Sequence, residues 1–326
     1  MDQVRIGVLG AARITPMALL GPAKRVPEAV VQAVAARDPA RAGAFARKHG
    51  IPRAHVDYDA LLADPEIDAV YNPLPNSLHA AWTQKALAAG KHVLCEKPFT
   101  SNAVEAERVA AAAARTDRVV MEAFHWRYHP LAHRMVEIVR SGLLGRPTHV
   151  ETWMCIPLIL PGDIRYRLEL AGGAMMDVGS YAVHMLRALA GEEPEVLRAE
   201  ARLSSPGVDR WMRAEHRFPS GCAGRTTCSL FSSTLLKVGV RVRGERGEMR
   251  VFNPVGPQFY HHLRLTTERG TTTERLTRDP SYLFQLRAFC AAVLRGEPIL
   301  TPPRDAVANM RVIDAVYRAA GLAPRG

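Results

Sequence analysis

A lysine between a glutamate and a proline, at the end of a short apolar run, is the first feature of this sequence that suggests chemistry. The stretch 92–99 reads HVLCEKPF. Lysine is costly to bury and proline cannot extend a central strand, so Glu96, Lys97 and Pro98 must lie where a strand ends. A surface loop would explain this arrangement. An active site at a strand end would also explain it, because the Lys97 ammonium can lower the pKa of a substrate hydroxyl while Pro98 turns the chain and fixes the lysine.

A second group of candidate residues lies in GGAMMDVGSYAVH, residues 172–184. Asp177 and Tyr181 are four positions apart, so in a helix they would share one face with β-carbons roughly 6 Å apart. Tyr181 can give or accept a proton if a neighbouring Lys97 lowers its pKa, and Asp177 can orient a substrate hydroxyl. Taken alone, the spacing also fits an ordinary surface pair. His184, one turn further along, is interpreted as structural.

A glycine turn separates the first apolar strand from the helix that follows it. In IGVLGAARIT, Gly10-x-Ala12-x-x-Thr15 resembles the dinucleotide fingerprint G-x-G-x-x-G/A with two of three positions changed. Gly10 suits the tight turn, Ala12 still lets the backbone approach a pyrophosphate, and the helix N-terminus offers N–H groups to an anion. A plain strand–turn–helix corner is the alternative, but the strand–helix–strand context favours binding. The candidates for cofactor contact here are Gly10, Ala11, Ala12, Arg13 and Ile14.

The end of the second strand indicates which dinucleotide fits. NAD sites usually place Asp or Glu there, but in VAARDPARA that position holds Ala36, followed by Arg37 and, a turn later, Arg41. A small residue followed by arginine leaves room for a 2′-phosphate and pairs with it. Asp38, ahead of Pro39, is interpreted as a helix N-cap. The sequence therefore predicts NADP, with NAD less favoured.

Further polar residues follow the strand 69–72, in PLPNSLHA. Ligands of doubly wound folds bind at the carboxyl ends of the strands, so Pro73, Asn76 and His79 are predicted to lie beside the cofactor, together with Glu96 and Lys97. Asn76 and His79 also fit the plainer roles of a helix cap and a first-turn residue.

The elements that must position these groups alternate between strand and helix in residues 4–125. The predicted strands are Arg5–Leu9, Val30–Ala35, Ala69–Asn72, Val93–Cys95 and Val119–Ala123. The predicted helices are Thr15–Arg25, Pro39–His49, Tyr58–Ala63, Ser77–Ala89 and Ala103–Arg115, with Gly90 and Asn102 as stop and cap signals. Such alternation is typical of a parallel sheet covered on both faces, an α/β doubly wound Rossmann domain.

The pattern changes after about residue 125. Helical stretches at 129–141 and 172–190 precede a strand-rich region, 196–277, whose close spacing and glycine breaks predict a mainly antiparallel sheet. Helices are predicted at 282–295 and 304–320. We therefore predict two domains, an NAD(P)-binding Rossmann domain over 1–125 and an α+β domain for substrate binding and oligomerisation over 126–326.

Composition excludes several classes of protein. The formal net charge is +11, but only six of the 43 basic residues are lysines and the arginines are scattered, so no basic block predicts nucleic-acid binding. The positive field instead favours small anionic ligands. The five cysteines form no metal-ligand spacing. With no export signal and no apolar run long enough to span a bilayer, the sequence predicts a cytoplasmic protein with reduced thiols and no membrane partner.

Taken together, the motifs resemble one family. GVLGAARIT, PNSLH, EKP, EAFHWRYHP, GGAMMDVGSY and FCAAVLRGEPILTPPRDAVANMRVIDAVY are similar, in this order, to those of the glucose–fructose oxidoreductase / inositol dehydrogenase (Gfo/Idh/MocA) family. The resemblance covers nearly the whole chain. VAARDPARA and MEAFHWRYHP are most similar to the branch of dihydrodiol dehydrogenases and D-xylose dehydrogenases.

The resemblance implies a Rossmann domain followed by a domain whose open sheet often forms a dimer face. It also implies that Lys97 is the catalytic lysine and that Tyr181 stands where many members carry a histidine. Arg165, in DIRYRLELAGG, would lie near the substrate, and Arg127 is a further candidate. Two departures stand out: Ala12 replaces a glycine, which would lower cofactor affinity, and Asn72 stands where an apolar strand residue is usual.

The resulting hypothesis is an NADP-dependent oxidoreductase acting on a secondary alcohol, or the corresponding ketone, of a sugar, polyol or related diol. Tyr181, tuned by Lys97, would exchange the hydroxyl proton, and the protein would assemble as a homodimer or homotetramer. Two alternatives stay open. One is a non-catalytic nucleotide-binding sugar sensor, and the other is an enzyme whose tightly bound cofactor is recycled without release.

Overall fold

The computed structural model describes residues 2–160 and 162–326. Its strands, in chain order, are β1 Val4–Leu9, β2 Ala29–Ala35, β3 Arg53–His55, β4 Ala69–Asn72, β5 His92–Cys95, β6 Val120–Glu122, β7 Pro147–Cys155, β8 Glu195–Ser205, β9 Val208–Arg217, β10 Ala223–Ser229, β11 Lys237–Gly244, β12 Gly247–Phe252, β13 His262–Thr267 and β14 Gly270–Glu274.

The α-helices are α1 Gly21–Ala23, α2 Pro39–His49, α3 Tyr58–Ala63, α4 Asn76–Ala88, α5 Ala103–Ala113, α6 Pro130–Arg140, α7 Ser180–Ala190, α8 Ser281–Arg295 and α9 Pro303–Ala319. Segments with π-helical geometry are Pro16–Leu20 and Met175–Gly179. Short 3-10 turns occupy His125–Tyr128, Ile164–Tyr166 and Leu168–Leu170. Among the described residues no helix combines the length and hydropathy that crossing a bilayer requires.

The first of two compact units contains the residues up to Thr100, Val104–Tyr128 and Tyr282–Val307. Its strands pair in parallel in the order β3-β2-β1-β4-β5-β6, which confirms the predicted doubly wound sheet. The strand order reverses between β1 and β4, and ligands of such folds bind at the carboxyl ends beside this point. Apolar side chains of β1, β2 and β4 fill the core, because both faces of a parallel sheet are covered.

Residues 282–307 belong to this first unit, which differs from the predicted assignment of 126–326 to one domain. Leu286 and Phe289 of α8 are fully buried in the same apolar cluster as β1 and β2. Thr301 adds a backbone contact, since its carbonyl accepts the Glu122 N–H at 3.0 Å. Helical periodicity indicates which face of α8 is apolar but not which core that face covers.

The second unit contains Ser101–Ala103, His129–Ser281 and Ala308–Gly326. Its sheet has the order β14-β13-β12-β11-β7-β10-β9-β8, and the pairs are antiparallel except for β7 with β10. This confirms the predicted mainly antiparallel sheet. Helix α7 packs on the sheet, where Thr152 Oγ1 of β7 donates to the Ala182 carbonyl at 2.9 Å.

His216, on β9, gives the fold a predicted dependence on pH. Its ring is 2% exposed, its Nε2 lies 3.0 Å from Thr226 Oγ1, and burial lowers the pKa of His216 to about 4. The His216 side chain takes up a proton at a higher pH in the unfolded chain than in the folded protein. The contribution of neutral His216 to the free energy of unfolding is therefore present above the ordinary histidine pKa and is lost as pH falls. Between pH 7 and pH 5 we expect His216 to contribute a loss of about 2 kcal/mol in the free energy of unfolding.

Urea denaturation of the wild type and of His216→Gln at both pH values measures this loss. Glutamine does not titrate and can still bond to Thr226, so the variant should lose about 2 kcal/mol less than the wild type. His133→Gln is the control: His133 is exposed, so this variant should lose as much free energy of unfolding as the wild type. Equal losses in wild type and His216→Gln would contradict the prediction.

Candidate cofactor and active site

The glycine turn at the end of β1 has the conformation that its sequence predicts. Gly10 has φ +96°, a value that L side chains rarely adopt, and a β-carbon there would lie 3.0 Å from Leu74 Cδ2. The Gly10 N–H donates to the Ala35 carbonyl at 2.7 Å, which fixes the turn against β2. Thr15 is fully buried, and its Oγ1 has no hydrogen-bond partner among the described residues. A tight turn with a bare backbone and an adjacent buried hydroxyl fits the phosphates of a dinucleotide.

The predicted helix Thr15–Arg25 is present in modified form, since the π segment and then α1 follow the turn. Of the predicted contact residues, Ala12 is half-buried and Arg13 is exposed. Ile14 is half-buried and packs against the core of the unit. Backbone groups and small side chains of the turn are therefore the parts available to a ligand.

Two arginines stand beside this turn, after the carboxyl end of β2. Arg37 and Arg41 are both exposed, and Arg41 Nη2 donates to the Ala11 carbonyl at 3.0 Å. Asp38 accepts the Ala40 N–H at 2.9 Å, which confirms its prediction as the N-cap of α2. Tyr58 lies close to these arginines, which the sequence did not indicate. Burial raises the pKa of Tyr58, and the nearby charge of Arg37 lowers it by a smaller amount. The arginine pair supplies the positive charge that a 2′-phosphate requires.

Asn72, whose place in β4 the sequence left unexplained, connects the strand to the helix that follows. Its side chain is fully buried; Nδ2 donates to the His79 carbonyl and to Thr83 Oγ1, each at 3.3 Å, and Oδ1 accepts the Leu74 N–H at 3.4 Å. These bonds satisfy both ends of a buried amide. Asn72 therefore holds the loop between β4 and α4, which contains the buried Pro73 and leads to the half-buried Asn76.

His79 links this loop to the segment that carries the lysine. Its Nδ1 lies 2.7 Å from the Pro98 carbonyl and its Nε2 lies 2.7 Å from the Leu74 carbonyl. The ring is 1% exposed, and burial lowers the pKa of His79 to about 4. Since both ring nitrogens face backbone carbonyls, the geometry supports a positioning role for His79 rather than the predicted direct contact with a cofactor.

Lys97 lies two residues after the end of β5, in a loop that several side chains hold. The Lys97–Pro98 peptide bond is cis. Glu96 Oε1 accepts the Tyr71 hydroxyl at 2.7 Å, and the Phe99 N–H donates to a carboxylate of β6, Glu122 Oε1, at 2.8 Å. The Lys97 side chain is half-buried. The loop thus presents Lys97 at the carboxyl edge of the sheet, where the sequence placed it.

In the second unit, Asp177 and Tyr181 lie where a π-helical turn passes into α7. Met175–Gly179 has i→i+5 hydrogen bonding, so the α-helical spacing assumed from the sequence applies only from Ser180 onward. A β-carbon on Gly179 would lie 2.6 Å from Met175 Sδ and 2.8 Å from Cys228 Sγ, so the turn packs tightly on β10. Insertions of this kind are frequent at functional sites.

Arg165, which the resemblance placed near the substrate, forms an ion pair with Asp177. Arg165 Nε lies 2.8 Å from Asp177 Oδ2, and Arg165 Nη1 lies 3.0 Å from Oδ1 of Asp163. Asp177 and then Asp163 raise the pKa of Arg165. Tyr181 is buried in α7, and His184, one turn on, is buried as well, in keeping with its structural interpretation. The unit therefore combines a carboxylate, a guanidinium and a phenol around the π turn.

The remaining candidate, Arg127, is half-buried in the 3-10 turn His125–Tyr128 of the first unit. In the part of the chain that the structure describes, no group of three or more His, Cys, Asp or Glu residues could hold a metal ion. The cysteines are buried as free thiols.

The strand order and the glycine turn define a dinucleotide-binding protein of the Rossmann type. Comparison with known families is consistent with this class. The model of an oxidoreductase family with an NAD-binding Rossmann fold matches residues 4–124, and the model of the GFO/IDH/MocA C-terminal domain matches residues 132–250. The chain therefore belongs to the Gfo/Idh/MocA oxidoreductase family, which confirms the resemblance found in its motifs.

Proteins similar to this one match along nearly the whole chain. A D-xylose 1-dehydrogenase (NADP(+)) of Haloferax volcanii is 38% identical over 96% of this chain and 96% of its own. A dTDP-3,4-didehydro-2,6-dideoxy-α-D-glucose 3-reductase of Actinomadura kijaniata is 32% identical over 97% and 95% of the two chains. The crystal structure of a 3-ketoreductase from that organism, in complex with NADP and TDP-benzene, has a TM-score of 0.90 at 29% identity over 98% of each chain.

Proposed function

We propose that this protein is an NADP-dependent oxidoreductase that interconverts a secondary alcohol and a ketone on a sugar, a polyol or a related diol. The assignment of NADP as cofactor rests on the arginine pair after β2, in which Arg41 donates a hydrogen bond to the Ala11 carbonyl of the glycine turn. Family membership and the names of relatives that act on D-xylose and on a dTDP-linked keto sugar support the substrate class. A cytoplasmic location and assembly as a homodimer or homotetramer belong to the same proposal.

The proposal gives each candidate residue a role. The backbone of the glycine turn, with Arg37 and Arg41, would hold the dinucleotide, which when bound supplies the hydride acceptor or donor. Lys97 and Tyr181 would move the proton of the reacting hydroxyl, since a cationic neighbour favours the ionised form of a hydroxyl. The residues proposed to orient the substrate are Arg127, Arg165 and Asp177.

A fluorescence titration with NADPH and, separately, with NADH tests the cofactor assignment. Removing the charge of Arg37 in Arg37→Gln should weaken NADPH binding about 10- to 100-fold, because charge-assisted hydrogen bonds to phosphate are among the strong ones. NADH has no 2′-phosphate, so its affinity should change little. Arg47→Gln is the matched control, because Arg47 is an exposed arginine in the last turn of α2, the helix that follows Arg37; this variant should bind NADPH like the wild type.

The titration separates the parts of the proposal. Preference of the wild type for NADH would overturn the role of the arginine pair but leave an oxidoreductase. Binding of neither nucleotide would remove the basis of the catalytic proposal. Tight NADPH binding without absorbance change at 340 nm for any sugar, polyol or diol would favour the non-catalytic sensor.

A further inference from the structure

A fully buried cluster of charged and polar groups lies behind the π turn of the second unit. Asp209 of β9 is 0% exposed; its Oδ1 lies 2.7 Å from Arg325 Nη2 and accepts the Tyr317 hydroxyl at 2.9 Å. Arg325 follows α9 and is only 3% exposed, and its guanidinium lies 4.1 Å from the centre of the Tyr317 ring. A buried carboxylate with this many partners is costly to disturb, since removing one partner leaves the charge uncompensated.

This cluster bonds directly to the segment that leads into the π turn. Asp209 Oδ2 accepts the N–H of Met175, the first residue of the turn, at 2.7 Å. Arg325 Nε donates to the Gly172 carbonyl at 2.8 Å. The same carboxylate and the same guanidinium therefore hold the chain on either side of Gly173.

The two glycines of GGAMMD are explained by this contact. Gly173 has φ +134°, and a β-carbon there would lie 2.2 Å from Asp209 Oδ1 and 3.0 Å from Arg325 Nη2. A β-carbon on Gly172 would lie 2.7 Å from the backbone carbonyls of Arg165 and Arg167. The chain can approach the cluster on one side and the Arg165 segment on the other only where side chains are absent.

Two backbone hydrogen bonds of Gly173 connect the cluster to the candidate site. The Gly173 carbonyl accepts the Asp177 N–H at 3.0 Å, and the Gly173 N–H donates to the Arg165 carbonyl at 2.8 Å. Any shift of Gly173 therefore moves both members of the Asp177–Arg165 ion pair. The bonds from the cluster to Gly172 and Met175 prevent such a shift.

We infer that Asp209 and Arg325 are positioning residues that set the π turn and so orient Asp177, Arg165 and the start of α7 for the substrate. The inference rests on the proposed function. An arginine is required at 325 because its fork reaches Asp209 and the Gly172 carbonyl together, whereas a lysine ammonium is a single point charge.

Arg325→Lys and Tyr317→Phe in the full-length protein test the inference. Arg325→Lys keeps the charge but gives up one of the two directed bonds, and Tyr317→Phe removes only one hydroxyl from the cluster. We expect kcat/KM for the substrate to fall about 10- to 100-fold in Arg325→Lys and less in Tyr317→Phe, because small misplacements of orienting groups have effects of this size. The affinity for NADPH should stay at the wild-type value, since its proposed site lies in the other unit.

Hydrogen–deuterium exchange supplies a readout that does not depend on turnover. In Arg325→Lys the peptide covering 173–181 should exchange faster, because Asp209 and Gly173, which accept the N–H groups of Met175 and Asp177, are then held less firmly. Arg134→Lys is the matched control: Arg134 makes two bonds of 2.8 Å to Glu274 in the same unit. It should leave both exchange in 173–181 and kcat/KM unchanged.

Two outcomes would overturn the inference. One is a lowered melting temperature in Arg325→Lys with wild-type kcat/KM and wild-type exchange in 173–181, which would make the cluster merely stabilising. Another is the same loss of activity in Arg134→Lys. If the wild type bound NADPH but turned over no substrate, the proposed function would fail separately, and the exchange experiment would still decide whether the cluster holds the turn.

Discussion

Replacing Lys97 by methionine is expected to lower kcat by about 10²- to 10⁴-fold while the protein remains folded. The substitution keeps most of the side-chain volume and removes the ammonium, which is the group proposed to favour the ionised form of the reacting hydroxyl. The half-buried side chain follows β5 in a loop held mainly by other groups, namely the bonds from Phe99 to Glu122 and from His79 to the Pro98 carbonyl. The loop should therefore keep its conformation.

Steady-state kinetics with NADP and a panel of sugars, polyols and diols measures this effect, with melting temperature as the check on folding. Lys85→Met is the matched control. Lys85 lies in α4 of the same unit, where it pairs with Asp59 at 2.9 Å, and an exposed pair of this kind contributes little. Its loss should leave kcat unchanged. Turnover of Lys97→Met within a few fold of the wild type would rule out the proposed role of the lysine.

The sequence predicted much of the first unit because its local signals agree with one another. Helix α2 has the predicted bounds, since Asp38 caps its start and Gly50, in the left-handed conformation, ends it. Strand β3 was not predicted. It has three residues, Arg53–His55, without an apolar pattern, and it pairs only at the edge of the sheet beside β2. An edge strand of this kind depends on its neighbour rather than on its own sequence.

The second unit shows where sequence patterns stop being informative. Strand β7, Pro147–Cys155, was not predicted, and its paired residues in β10 and β11 lie about 70 to 100 positions further along the chain. A periodic pattern can indicate a strand but not the distant strand that pairs with it. The π turn at Met175–Gly179 was predicted as plain helix for a related reason, because its geometry follows from packing on β10.

For the candidate site, the sequence indicated the residues that carry chemistry but not the partners that hold them. Lys97, Asp177 and Tyr181 were selected because their types and surroundings suit proton transfer. The ion pair of Arg165 with Asp177 forms within the second unit, and the two carbonyls next to His79 lie within the first. Each contact depends on how a loop of that unit folds. Asn72 is the clearest case, since a polar residue in an apolar strand was noticed but its partner Thr83 could be found only in the structure.

Replacing Tyr181 by phenylalanine is the other prediction with a large expected effect. The change removes one oxygen from a buried side chain of α7 and leaves its volume almost unchanged, so the fold should be kept. If the phenol exchanges the proton of the substrate hydroxyl, kcat should fall about 10²- to 10⁴-fold. Binding of NADPH should stay at the wild-type value.

Tyr260→Phe is the matched control, because Tyr260 belongs to the same unit and is 46% exposed. A double variant with Lys97→Met makes the test sharper. If Lys97 and Tyr181 serve one proton transfer, the second substitution should cost far less than it does alone, because effects of groups acting as a unit are not additive. Multiplicative losses in the double variant would show that the two residues act independently, and an active Tyr181→Phe would assign the proton transfer to another group.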